Sequence, residues 1–361
     1  MKGETHVILD CASGDLKMST MRKRTLLSIA CAAGLGLIAF KSTCQTVYGA
    51  RKSAAERKLR AELRAYPHKI VFASFLNGNW EICMMNADGS GVRNLSWSTS
   101  NDVMPHVSPD GRTILFGSDR VGRKAEGLWP IGSQGRGIFT MDLDGFNVRL
   151  VAIGEEACWA PDGRRICFLK NGWLMIRDIV TGSEQRVGSF WSKVESPCWS
   201  PDGRGIALTA DMLGGHNGHI FDLVTGRLRR YAYGVGTNCR PDFSADGKAI
   251  ALCSHYSGGV MIWTAEVADP RRTVRRLTFR PGFNYFPDWS PDNRYIVYSH
   301  GPRNDSYEFS PGQWQIYVMT PLGETNGPRV QLTWTGSNRD PDWVPVAVPR
   351  RGFTGRIISN D

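Results

Sequence analysis

Six residues at equivalent points of a repeated phrase carry side chains that could do chemistry. They comprise one imidazole, two thiols and three carboxylates: His106, Cys158, Cys198, Asp242, Asp288 and Asp342. If the repeats close into a ring, these residues meet near its axis, where such donors could bind a metal ion. Aspartates at such positions also commonly bond neighbouring backbone amides, and we favour that use. The sequence therefore predicts a channel ring with no metal and no cofactor.

The phrase that carries these residues is clearest from Pro197 to Leu208. Trp199 is a large apolar plug at the end of a strand. Ser200 and Asp202 can bond the backbone of a tight turn, in which Gly203 tolerates a positive φ. Apolar residues then alternate at period two, as in a half-buried strand. The phrase predicts a strand, a tight turn and a second strand.

Copies of the phrase begin at residues 105, 157, 197, 241, 287 and 341, so that the spacing is 40 to 54 residues. A repeat of this length, rich in strands and Asp-Gly turns, is typical of propeller blades with four strands each. The last copy, near Asp342, supplies only an inner strand. The segment from His68 to Ser74 matches the second strand of a blade, and no inner strand precedes it in the pattern. We predict an all-β fold, a six-bladed propeller of four-stranded antiparallel blades, closed by pairing the C-terminal strand with the N-terminal blade.

The whole repeat resembles the propeller repeats of the TolB family. The shared pattern is Pro-x-Trp-Ser-Pro-Asp-Gly, then a strand ending in Asp-Gly, then Arg-Leu-Thr, and it covers residues 68 to about 348. The resemblance implies a periplasmic, non-enzymatic binding module of the Tol–Pal envelope system. Its implied partner is a peptidoglycan-associated lipoprotein. TolB proteins carry an α/β domain of over a hundred residues before the propeller, and this sequence has only 27 residues between its apolar run and the first strand.

Loops on one face are the predicted binding surface. Two of them, 119–135 and 301–312, are long and mix aromatic with charged residues, as interaction surfaces do. Solvent-exposed insertions without a partner are an equally reasonable interpretation. The candidate residues in these loops are Arg123, Trp129, Gln134, Arg303, Asp305, Tyr307 and Phe309.

Two histidines provide the alternative hypothesis. His255 and His300 occupy the same position after the second strand of adjacent blades. Lyases that cut pectic fragments have a related propeller and a metal held by histidines, so a metal-dependent carbohydrate lyase is the competing function. We include both residues among the binding candidates, and we predict that the protein is not an enzyme.

Charge argues against nucleic acid as a partner. The formal net charge is +10, and residues 1–66 carry seven of these positive charges. The repeat region is nearly neutral, so it has no basic footprint for nucleic acid. The nine cysteines have no C-x-x-C pair, which is unlike a zinc site and favours buried thiols.

The excess of positive charge near the N-terminus has its own explanation. Residues 22–24 are basic and precede an uncharged apolar run over 25–40. This pattern predicts a signal peptide or inner-membrane anchor helix over 21–44, after an unstructured extension over 1–20. A basic linker helix is expected over 45–67, lying on the domain, on an anionic membrane surface or in solvent. The propeller then covers 68–348, and 349–361 form a basic tail.

Overall fold

The computed structural model describes residues 54–121, 136–188, 194–211, 216–233, 236–255, 259–302 and 313–346. They belong to one compact unit, Ala54–Asp361. None of the helices in these residues is long and apolar enough to span a membrane. The predicted extension over 1–20, the apolar segment over 21–44 and the tail over 349–361 all lie outside the described residues.

The fold is all-β and is built from antiparallel groups of four strands. Group 1 has the order β24, β1, β2, β3, and its strands are β24 (Ser337–Val344), β1 (Lys69–Leu76), β2 (Asn79–Asn86) and β3 (Arg93–Asn94). Group 2 comprises β4 (Asp102–Val107), β5 (Thr113–Ser118), β6 (Gly137–Asp142) and β7 (Arg149–Ile153). Group 3 comprises β8 (Glu155–Trp159), β9 (Arg165–Lys170), β10 (Trp173–Asp178) and β11 (Glu184–Arg186).

The remaining groups follow the same plan. Group 4 comprises β12 (Val194–Trp199), β13 (Gly205–Asp211), β14 (His216–Asp222) and β15 (Leu228–Arg230). Group 5 comprises β16 (Thr237–Phe243), β17 (Ala249–His255), β18 (Val260–Glu266) and β19 (Arg275–Arg276). Group 6 comprises β20 (Phe283–Trp289), β21 (Ile296–Gly301), β22 (Gln315–Met319) and β23 (Arg329–Gln331). One parallel bridge, Val260 to Phe283, joins groups 5 and 6 into an eight-stranded sheet.

The repeated phrase forms the predicted turn between the first two strands of a group. In group 4 the Gly203 N–H donates to the Ser200 carbonyl at 2.9 Å, and Gly203 has a φ of 72°. The Ser200 hydroxyl donates to the Asp202 carboxylate at 2.6 Å and accepts the Gly205 N–H at 2.9 Å. Side chains thus satisfy the polar groups of a turn that has few other partners.

Apolar clusters fill the space between neighbouring groups. Separate clusters join group 1 to 2, 2 to 3, 3 to 4 and 5, 5 to 6, and 6 back to 1. The last of these contains Ile70 and Met85 from group 1 together with Val297 and Val318 from group 6. Each group therefore buries both faces of its sheet against a neighbour, which explains the nearly continuous apolar runs of its middle strands.

A helix, α1, covers residues 54–64 and lies on the strands. Leu59, Leu63 and Tyr66 are buried in the cluster between groups 1 and 6. The Tyr66 hydroxyl donates to the Asp292 carboxylate at 2.5 Å. Of the placements considered for the linker helix, this segment takes the one on the domain. Two single-turn helices, α2 (Pro270–Thr273) and α3 (Gly323–Asn326), lie in connections.

The C-terminal strand pairs with the N-terminal one, as the incomplete last repeat predicted. β24 is antiparallel to β1, with Lys69 opposite Val344 and Ile70 opposite Trp343. All eight residues of β24 are buried. The first and last strands of the described residues are therefore joined in one sheet, and β24 is fully integrated into the core.

Truncation before Pro341 should abolish cooperative unfolding, because it removes half of this buried strand and exposes the edge of β1. Urea unfolding followed by circular dichroism measures the effect. The matched control is truncation after Val346, which leaves β24 whole and should change the free energy of unfolding by no more than about 0.5 kcal/mol. A cooperative transition of normal midpoint in the shorter chain would contradict the role of β24.

Candidate functional site around the central cavity

The same backbone irregularity occurs in all six inner strands. Each has a register shift against its partner strand, and within it one non-glycine residue takes a left-handed backbone. These residues are Met104, Glu156, Ser196, Arg240, Phe286 and Asp340, with φ between 51° and 54°. Proline follows in five of the six cases and Ala157 in the other. Such a bulge re-aims the side chains next to it, here towards one central cavity.

The cavity has a volume of about 120 Å³ and receives three residues from each inner strand. The first of each three is the left-handed residue, the second is the proline or Ala157, and the third is the predicted ring residue. We call the six left-handed residues the mouth residues and the six ring residues the channel ring. The mouth residues lie nearer the start of each inner strand, on the side where the loops between strands two and three emerge.

Each member of the channel ring accepts a backbone hydrogen bond from the next inner strand. The bonded donor is the N–H of the residue that follows the neighbouring ring position. The pairs are Trp159 to His106 Nδ1 (3.5 Å), Trp199 to Cys158 Sγ (3.3 Å), Phe243 to Cys198, Trp289 to Asp242 Oδ2 (2.7 Å), Trp343 to Asp288 Oδ1 (2.6 Å) and Val107 to Asp342 Oδ2 (2.6 Å). The six bonds form a closed cycle.

The three carboxyl groups of the ring are unusually weak acids. Burial raises the pKa of Asp242 and of Asp342 to about 7. Burial also raises the pKa of Asp288, and the nearby charges of Asp342 and Asp242 raise it further. Asp288 and Asp342 also share a side-chain hydrogen bond. Three buried carboxyls this close cannot all ionise, so the ring retains protons near neutral pH.

The imidazole of the ring is held neutral. Burial lowers the pKa of His106 to about 4. Its Nδ1 accepts the Trp159 N–H, which leaves the proton on Nε2, 3.6 Å from Cys158 Sγ. Among the described residues, no three His, Cys, Asp or Glu side chains are arranged to hold a metal ion. The ring side chains act as acceptors that hold adjacent strands together.

The mouth residues, in contrast, differ in chemistry from strand to strand. Arg240 Nη1 lies 2.5 Å from Glu156 Oε1, and its guanidinium carbon lies 4.9 Å from the centre of the Phe286 ring. Glu156 also accepts the Ser196 N–H at 2.6 Å. Asp340 accepts the Met104 N–H at 3.3 Å, and burial raises its pKa. The sequence interpretation missed this set, although the residue before each Pro was a visible signal.

The candidate histidines are engaged with their own neighbours. His255 Nε2 lies 3.1 Å from the Tyr285 hydroxyl. His300 Nδ1 lies 3.0 Å from Asn284 Oδ1, and its ring packs edge-on against Tyr317. Burial lowers the pKa of His300 to about 4. Neither residue lines the central cavity.

The other binding candidates fall outside the described residues. They are Arg123, Trp129, Gln134, Arg303, Asp305, Tyr307 and Phe309, within the loops 119–135 and 301–312. Their role in binding stays a prediction.

Comparison with known proteins bears on the repeat itself. The family model described as the TolB beta propeller domain matches residues 132–346. The chain belongs to this family. TolB from Acinetobacter baumannii has a similar fold, with a TM-score of 0.62, 20% identity, and coverage of 82% of this chain and 72% of that one. The putative TolB from Agrobacterium tumefaciens has a TM-score of 0.57, 19% identity, and coverage of 78% of this chain and 100% of that one.

The TolB-type propeller fold also occurs in proteins of other function. Hydrazine synthase from Kuenenia stuttgartiensis has a TM-score of 0.56 against this chain, at 12% identity, with coverage of 78% of this chain and 47% of that one. At such identities the likeness is one of fold. Function must be argued from the cavity and the surfaces of this chain.

Replacing Asp342 by Asn should flatten the pH dependence of stability. The folded pKa of Asp342 is about 7, and the pKa in the unfolded chain is about 4. The folded state therefore binds the extra proton between these values, so this carboxyl's contribution is fully present below about pH 4 and is lost as pH rises through 7. The Asn oxygen can still accept the Val107 N–H. The free energy of unfolding of the variant, relative to wild type, should rise between pH 5 and 8.

Urea unfolding at four pH values in this range measures that difference. His106 has the opposite sign, because its pKa is lowered and its stabilisation is lost as pH falls, so only the difference between variant and wild type isolates Asp342. The matched control is Asp246→Asn, in an exposed turn where hydrogen bonds lower the carboxyl pKa. Its difference from wild type should be constant over the same range. Parallel curves for Asp342→Asn and wild type would rule out the raised pKa.

Proposed function

We propose that the protein is a non-enzymatic, six-bladed propeller that binds a protein partner in the bacterial cell envelope. Three features support six blades in a closed ring. The described residues form six four-stranded groups, the apolar clusters run from each group to the next and back to the first, and six hydrogen bonds join the inner strands in a cycle. Closure of this kind removes exposed edges from a sheet fold.

The observation that carries the binding function is the difference between the ring residue and the mouth residue of each inner strand. All six ring side chains accept a backbone N–H, whereas the mouth residues two positions earlier are mixed. Glu156 and Asp340 also accept one, and Met104, Arg240 and Phe286 line the cavity without this role. Phe286, Met104 and the Glu156–Arg240 pair offer an apolar surface flanked by charges. Buried aromatic and arginine side chains of this kind are typical of the energetic centres of protein interfaces.

The partner is inferred from the family. A TolB-type propeller in the Tol–Pal system docks a peptidoglycan-associated lipoprotein, and we assign this chain a partner of that class. A periplasmic location follows from the same assignment and from the basic and apolar N-terminal pattern over 22–40. The mouth, rather than the uniform Ser-Pro-Asp-Gly turns of the other face, is the docking site.

The channel ring gives little support to a catalytic role. A metal-dependent lyase needs ligands with free lone pairs and an open coordination position. Here each ring side chain already accepts a backbone N–H, and His255 and His300 bond to Tyr285 and Asn284. We therefore propose binding rather than catalysis.

Phe286→Ala should weaken binding of the purified peptidoglycan-associated lipoprotein of the same cells by about tenfold or more, because it removes an aromatic anchor from the mouth. Isothermal titration calorimetry measures the dissociation constant. The matched control is Phe146→Ala, the same substitution at a residue that is 70% exposed in the turn between β6 and β7, on the opposite face. Its affinity should equal that of wild type.

Two results would count against the proposal, and they differ in meaning. If wild type does not bind the lipoprotein, the partner is wrong. If both variants bind as tightly as wild type, the mouth is not the docking site. Unfolding curves of both variants verify that any loss of affinity is not a loss of fold.

A further inference from the structure

Three exposed aromatic side chains occupy the same position in three groups. Each follows the last residue of an outer strand by three positions: Trp97 after β3, Phe279 after β19 and Trp334 after β23. Their exposed fractions are 79%, 49% and 66%. The two residues before each aromatic are a leucine and a serine or threonine, and all of these are buried. Other exposed apolar residues, such as Phe146 and Leu322, lie in the turns at the opposite strand ends, so these three form a separate aromatic set.

Identical hydrogen bonds fix this position in each group. The hydroxyl before the aromatic accepts the N–H of an isoleucine in the third strand at 2.9 Å in all three cases. The pairs are Ile82 to Ser96, Ile262 to Thr278, and Ile316 to Thr333. The same hydrogen bond therefore anchors the residue before each aromatic, and of the three aromatics Trp97 alone takes a left-handed backbone, with a φ of 39°.

A fourth aromatic continues the series. Tyr233 follows β15 by the same three positions and is half-buried. The four residues belong to groups 4, 5, 6 and 1, which are consecutive neighbours through their apolar clusters. We call Tyr233, Phe279, Trp334 and Trp97 the aromatic row. Equivalent positions in repeats arranged around one cavity lie at one height along its axis, so the row is flat.

The aromatic row is accompanied by arginines. The guanidinium carbon of Arg230 lies 5.2 Å from the centre of the Tyr233 ring, that of Arg276 lies 4.7 Å from Phe279, and that of Arg60 lies 5.9 Å from Trp334. Arg280, next to Phe279, is exposed. Aromatic rings combined with arginines on one surface match the interface of a bilayer with anionic headgroups, where rings enter the headgroup level and guanidinium groups meet phosphates.

The sequence outside the described residues also favours a lipid bilayer as the surface that the aromatic row contacts. The basic residues Arg22, Lys23 and Arg24 precede the apolar run over 25–40, and only 13 residues separate this run from the start of α1 at residue 54. Such a linker can span at most about 46 Å when fully extended. A run of this kind in a membrane would hold the domain within reach of the lipid surface.

We propose that the aromatic row is a docking surface for an anionic phospholipid bilayer. A flat surface contacts all four rings at once, and a phospholipid surface supplies phosphates to each adjacent arginine. This goes beyond the proposed function. The aromatic row and the mouth lie at the same strand ends, so a bilayer on the row and a protein on the mouth would compete for one face.

Hydroxyl-radical footprinting of the full chain tests the proposal. The protein is reconstituted into vesicles of phosphatidylcholine with phosphatidylglycerol, into vesicles of phosphatidylcholine alone, and into detergent micelles. Modification of Trp97, Phe279 and Trp334, read by mass spectrometry, should fall at least about fivefold in the anionic vesicles relative to the other two, because rings at headgroup depth are shielded from water. Phe146 and Leu322 are exposed in turns at the opposite strand ends and serve as internal controls with unchanged modification.

A variant makes the test independent of the reporter residues. In Trp97→Ser/Phe279→Ser/Trp334→Ser, the remaining ring of Tyr233 should lose its protection in anionic vesicles, whereas in Phe146→Ser/Leu322→Ser it should keep it. Equal modification of the aromatic row in all three environments would overturn the proposal. It would leave the affinity of the mouth for its protein partner untouched, since the two experiments read different residues.

Discussion

A ring side chain in each inner strand accepts a backbone N–H of a neighbouring inner strand, and the rest of the structure depends on this contact. Six such bonds form a closed cycle around the cavity, from Trp159 to His106 through to Val107 on Asp342. A buried N–H without an acceptor costs about 1–3 kcal/mol. Because every inner strand is both donor and acceptor, loss of a ring side chain weakens the contact between two groups rather than within one.

The bond cycle also explains why the acidic ring is compatible with a buried position. Three aspartates that were all charged would repel each other strongly at these buried positions. Raised pKa values let the ring keep protons, so that Asp288 and Asp342 share a hydrogen bond while each still accepts a backbone N–H. The neutral His106 and the two thiols complete the same pattern without adding charge.

The bulge in each inner strand gives the ring residue and the mouth residue different surroundings. It turns the residue at the ring position towards the neighbouring strand, and it turns the residue two positions earlier towards the open cavity. The first can vary only among acceptors, such as Cys198 and Asp242, whereas the second ranges from Met104 to Arg240. At the outer edge, a buried leucine and a hydroxyl that accepts a backbone N–H precede three of the four residues of the aromatic row, Trp97, Phe279 and Trp334. The same repeat thus carries a central and a peripheral surface on one rigid frame.

The sequence by itself determined the strand and turn pattern, the six inner strands and the pairing of β24 with β1. These follow from local periodicity and turn chemistry, which act over a few residues, and from the incomplete first and last repeats. It also identified the ring residues, because they hold one register position. Only the tertiary structure decided what those residues do, since their partners, such as Trp343 for Asp288, lie 55 residues away along the chain. The mouth residues and the aromatic row depend in the same way on bulges and on neighbouring groups, which arise when separate repeats pack against one another.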